Sequence, residues 1–132
     1  MNSRYAFLLL IATVAITLAD SPARAGDALL RARPCGPDSI RGPLRLLIPQ
    51  GAYGADFRPA CRAHDACYDT PGANRAACDA KFLEDMLCAC EQSRHPALCR
   101  RRARAMYRIT AKRGEKSFRE AQLVAQQKLN AE

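Results

Sequence analysis

An all-α, disulfide-stapled antiparallel αα-hairpin, with two further helices behind it, is the fold class this sequence predicts. Three observations carry the prediction. Apolar residues recur at helical steps across residues 75–92 and again after Gly114. Proline and glycine fall at the ends of the periodic stretches, where they start, stop or turn the chain. Seven cysteines lie between positions 35 and 99, behind an N-terminus that reads as an export leader, so disulfides are the expected state.

Residues 1–25 have the layout of a signal peptide. Arg4 gives a positive start, residues 6–19 are apolar apart from Thr13 and Thr17, and Ala23-Arg24-Ala25 places small residues at the −3 and −1 positions before Gly26. Ala19 is a second cleavage option. A retained anchor is the alternative, disfavoured because a membrane span needs about 20 apolar residues. No later segment is apolar enough to cross a bilayer. Cleavage before Gly26 would leave 107 residues with 19 basic and 12 acidic side chains, enough for a single domain, 26–132, with a modest core.

From Gly26 to Phe57 the sequence is loop-like, since Pro34, Pro37, Pro43 and Pro49 come together with Gly36, Gly42, Gly51 and Gly54. Leu44 to Ile48 is a short apolar run within it. Pro59 suits the first residue of a helix, with Asp56 upstream to cap it or to complement its dipole, and Thr70-Pro71-Gly72 stops that helix near Asp69. Asn74 can cap a second helix, from about Arg75 to Gln92, and so short a turn makes the pair antiparallel. A third, heavily basic helix runs from about Pro96 to Lys112. A last amphipathic one carries Phe118, Ala121, Ala125 and Leu129 on one stripe.

The chemistry concentrates where the first two helices face each other. On a helix, Cys61, His64, Asp65 and Tyr68 line one stripe. Cys67 closes the first helix and Cys78 opens the second, so a bridge across the turn is geometrically easy. It would fix Asp79, next to Cys78, against His64. A His–Asp pair held this way makes a general base able to deprotonate water. Asp65 diverges from His64 by about 100° and can reach a cation beside it. One carboxylate does not hold Ca²⁺, which takes about six to eight oxygens, but the Gly/Pro-rich stretch around Cys35 and Gly36 could add carbonyls. A zinc site from Cys61, His64, Cys67 and Cys78 is disfavoured by export and by the lack of a tight CxxC pair.

The segment Cys61-Arg62-Ala63-His64-Asp65-Ala66-Cys67-Tyr68, followed by Cys78-Asp79, resembles the secreted calcium-dependent phospholipase A2 superfamily, in its bacterial or atypical short-turn form. The resemblance covers about Asp56 to Met86, plus Cys35-Gly36 as a calcium-loop remnant. It implies hydrolysis of the sn-2 ester of glycerophospholipids, with His64 activating water, Asp79 orienting His64 and Tyr68 bonding Asp79. It further implies Ca²⁺ as cofactor, held by Asp65 and by carbonyls of Pro34, Gly36 and Asp38, polarising the ester and stabilising its oxyanion, with bridges Cys35–Cys61 and Cys67–Cys78. Many members have a cysteine at the position of Ala60 bonded to one at the position of Asp85, and here both are absent together. The loop lacks the family's full glycine pattern, and 25 residues separate Cys35 from Cys61. Cys99 is left to pair with Cys90 or Cys88.

Arg100, Arg101, Arg102, Arg104 and Arg108 crowd the third helix. A solvated face is the plain account of them; attraction to an anionic membrane or micelle interface, by peripheral contact only, is the functional one. Nucleic acid is a poor partner, since only Tyr107 interleaves the cluster and export argues against it. The resemblance makes glycerophospholipid the expected substrate partner and a secreted or periplasmic location the expected one. The rival reading is a non-catalytic cationic lipid- or protein-binding module on the same scaffold.

Overall fold

The computed structural model describes residues 22–131. The expected leader therefore lies outside the described residues, except for Pro22 to Ala25 at the start of the first helix. The elements in chain order are α1 (Pro22–Ala32), a 3₁₀ turn (Gly42–Leu47), strands β1 (Gly51–Ala52) and β2 (Ala55–Asp56), and helices α2 (Arg58–Tyr68), α3 (Arg75–Cys90), α4 (Pro96–Arg113) and α5 (Glu115–Ala131). The all-α, disulfide-rich architecture stands, with one small antiparallel sheet added to it.

The stretch from 26 to 57 is more ordered than its breakers suggested. No proline interrupts residues 23–33, so Ala28, Leu29 and Leu30 continue a helix that stops at Ala32, just ahead of Arg33-Pro34. Further on, Tyr53 (φ 53°) and Gly54 (φ 92°) form a two-residue turn with both central residues left-handed. That turn joins Gly51↔Asp56 and Ala52↔Ala55, a register typical of tight hairpins.

Helix α2 starts behind Asp56, whose Oδ1 accepts from the Arg58 backbone N–H (2.9 Å), and a Thr70–Ala73 turn follows its end. Asn74 caps α3 by accepting from the Ala77 N–H at 3.0 Å, satisfying one of the donors that every helix start leaves free. The α2–α3 hairpin packs on α4 around a core of Phe57, Ala60, Phe82, Met86, Ala103 and the half-cystines 35, 61, 90 and 99. Disulfides join Cys35–Cys61, Cys67–Cys78 and Cys90–Cys99, which leaves Cys88 as the exposed free thiol.

A single residue, Gly114, separates α4 from α5, which returns to the hairpin turn. There Gln122 accepts from the Gly72 N–H and donates to the carbonyls of Tyr68 and Thr70. Its expected stripe is shorter than its spacing suggested. Phe118 and Ala121 are half-buried and Ala125 is buried, but Leu129 lies beyond the hairpin and is exposed.

Candidate active site

The Cys67–Cys78 bridge closes the turn between α2 and α3 and sets His64 opposite Asp79. The His64 Nε2 lies 2.8 Å from Asp79 Oδ1, and both residues are buried, the imidazole 8% exposed. The same oxygen accepts from the Tyr68 hydroxyl at 2.6 Å. With Nε2 directed at a carboxylate, Nδ1 is the nitrogen left to accept a proton, and no other described residue bonds it. The rings of Tyr68 and Phe82, centred 4.2 and 4.7 Å from the imidazole, wall it in. Burial, then the bond to Asp79 and its charge, push the Tyr68 phenol well above its usual range, which keeps it a donor.

Two contacts absent from the sequence reading brace this pair. Arg75, one turn before Asp79, has its Nη1 3.8 Å from Asp79 Oδ2, donates to the Ala111 carbonyl, and pairs its Nε with the Glu115 carboxylate at 3.1 Å. It thereby ties the α4–α5 junction to the buried acid. Gly114, at that junction, is packed so closely that a Cβ there would lie 2.8 Å from the Tyr68 hydroxyl and 2.7 Å from the Thr110 carbonyl. The sequence signal for Gly114 was only that of a helix stop.

Asp65 projects from α2 as an exposed residue. Its carboxyl is nevertheless pushed up to about 7, first by desolvation among neighbouring protein atoms and then by the charges of Asp38 and Asp69, with Arg45 opposing the rise. The calcium site expected around it does not assemble. The carbonyls of Pro34 and Gly36 instead accept from Arg45 Nη2 at 3.2 and 3.3 Å, and the Asp38 carboxylate stands 3.9 Å from the same nitrogen. A dication on those two oxygens would stand within about 6 Å of the guanidinium and be repelled by roughly 5 kcal/mol at an effective dielectric of about 20. No cluster of three or more His, Cys, Asp or Glu side chains suited to a metal occurs among the described residues. The residues therefore do not fit Ca²⁺ in this arrangement, and the physical reason is Arg45. That arginine sits inside the apolar run Leu44 to Ile48, where nothing in the sequence sets it apart.

A groove of about 660 Å³ has Ala60, Ala63, Asp85 and Cys88 in its lining and none of His64, Asp65, Tyr68 or Asp79.

A 53-residue stretch of the chain is 47% identical to Conodipine-P3 from Conus purpurascens, covering 38% of this chain and 27% of that protein. The chain thus matches about a quarter of that relative's length. No family model matches the chain, and no solved structure matches it.

Proposed function

We propose that this protein is a phospholipase A2-like hydrolase that cleaves the sn-2 ester of glycerophospholipids. The observation that carries the reading is the buried His64–Asp79 contact of 2.8 Å across the hairpin. The short likeness to Conodipine-P3 supports a relation to phospholipase A2-like proteins in general. Three disulfides agree with an extracellular or periplasmic location.

In the proposed reaction His64 Nδ1 takes a proton from a water molecule as the water oxygen adds to the ester carbonyl carbon. Asp79 keeps Nε2 protonated and balances the imidazolium, and Tyr68 holds the carboxylate in place. Collapse of the tetrahedral adduct breaks the ester C–O bond. His64 returns its proton to the departing lysophospholipid alkoxide, and a fatty acid is released. Ca²⁺, implied by the family resemblance, is assigned no step here, because two of the three loop carbonyls expected to bind it, those of Pro34 and Gly36, accept from Arg45.

The test is fatty-acid release from mixed anionic and zwitterionic vesicles by wild type and His64→Gln, each with calcium and with a chelator. We expect His64→Gln to lower the rate by roughly 10²–10⁴-fold with its helical circular dichroism retained. Equal rates in the two proteins would refute the assignment. A non-catalytic cationic binding module is the second reading, favoured by the exposed arginines 101, 102, 104 and 108 on α4. Vesicle binding without any His64-dependent turnover would decide for it.

A further inference from the structure

The segment from Leu44 to Leu47 is inside out. Arg45 is 1% exposed, while Leu44, Leu46 and Leu47 are 66%, 56% and 77% exposed. A guanidinium carries five N–H donors, and every one here has a backbone carbonyl. Nε donates to Arg33 (2.9 Å), Nη1 to Pro37 (2.9 Å) and Ile40 (3.1 Å), and Nη2 to Pro34 (3.2 Å) and Gly36 (3.3 Å). Arg33 answers in kind, its Nε donating to the Arg45 carbonyl and its Nη2 to those of Leu46 and Ile48. Gln50 completes the frame, accepting from the Cys35 N–H and donating to the Cys35 carbonyl.

Carbonyl oxygens converging on one positive charge are what a cation-binding loop supplies. A planar, five-donor fork satisfies them here from within the chain. Leaving a buried guanidinium unpaired would be prohibitive, so the carbonyls and the arginine hold each other in place. Burial lowers the Arg45 pKa, with Asp38 and then Asp65 as the leading opposing charges, yet arginine stays protonated in proteins.

We propose that Arg45 is the resident cation of the loop between Arg33 and Gln50, so that this loop keeps its shape without Ca²⁺. The guanidinium takes the oxygens of Pro34 and Gly36 that a metal would need. The order of residues 34–41 is then a property of the apoprotein. Arg45 has no donor left for a substrate, so it is a positioning residue and touches no reacting atom.

Hydrogen exchange read by mass spectrometry on the full disulfide-bonded chain tests this, in about 5 mM CaCl₂ and in chelator, concentrations that would saturate even a weak extracellular calcium site. For wild type we expect the same exchange across residues 35–48 in both buffers, and no saturable heat when calcium is titrated into the protein. For Arg45→Lys, whose ammonium cannot span five carbonyls, we expect exchange there to rise roughly tenfold while α2 and α3 keep their protection. Calcium that slows exchange in the wild-type loop would overturn the proposal, as would a lysine variant protected as well as wild type. If Arg45→Lys does not fold, the wild-type comparison decides alone. Neither readout involves turnover, so the proposal and the hydrolase reading fail separately.

Discussion

At the scale of single residues, the site turns on one oxygen. Asp79 Oδ1 serves both His64 and Tyr68, so removing the phenol should loosen the carboxylate that aims the imidazole. Tyr68→Phe is expected to cost about 2 kcal/mol of stability, the usual worth of a buried hydrogen bond to a charged group. It should also lower the rate of fatty-acid release; urea melts and a vesicle assay read the two effects. Gly114→Ala would disturb the donor to that oxygen, since its methyl would crowd the Tyr68 hydroxyl and the Thr110 carbonyl. We expect reduced turnover with folding intact, and a rate equal to wild type would show that the contact relaxes freely. The facing of His64 and Asp79 was legible in the sequence from helical spacing and the flanking cysteines, whereas the bond from Tyr68 to Asp79 was implied only by the family resemblance. Arg45 was not legible, because an arginine among leucines reads as the one solvated member of an apolar run. Only the carbonyl geometry of the folded loop reverses that reading.

At the scale of elements, the α2–α3 hairpin depends on a covalent closure and a cap. Replacing Cys67 and Cys78 together by serine should destabilise the fold by about 3 kcal/mol on the loop-entropy account. Turnover should fall further than stability does, because the bridge adjoins Asp79 and lies three residues from His64; thermal melting beside the release assay separates the two losses. Asn74→Ala removes the side-chain acceptor for Ala77 N–H and should cost about 1 kcal/mol, visible as a lowered urea midpoint with an unchanged slope. The hairpin, its turn and the basic α4 were legible from breakers and periodicity. Helix α1 was not, because the prolines after position 33 cast the whole stretch as loop. The strands around Tyr53 and Gly54 were too short, at two residues each, to show alternation.

At the scale of the whole molecule, charge is unevenly worn. Arg101, Arg102, Arg104 and Arg108 are all exposed on α4, and the formal net charge of the chain is +8. If this face meets anionic lipid, each arginine near the surface contributes about 1 kcal/mol, screened by salt. Arg101→Glu with Arg104→Glu should therefore weaken sedimentation with anionic vesicles by at least roughly tenfold, and raised salt should do the same to wild type. Binding indifferent to both would leave the arginines as a solvated face. Charge of this kind is easily counted in a sequence. Which arginines face water and which one is swallowed by a loop is settled only by packing.

The three bridges also follow one another along the chain without interleaving: 35 with 61, 67 with 78, 90 with 99. A polypeptide emerging N-terminus first into an oxidant could seal each ring before the next pair of thiols arrives, with no need for shuffling. Cys88 is the exception, because it appears just ahead of Cys90 and can capture a partner first. The last ring, the one that anchors the start of α4, is therefore where mispairing during maturation would fall.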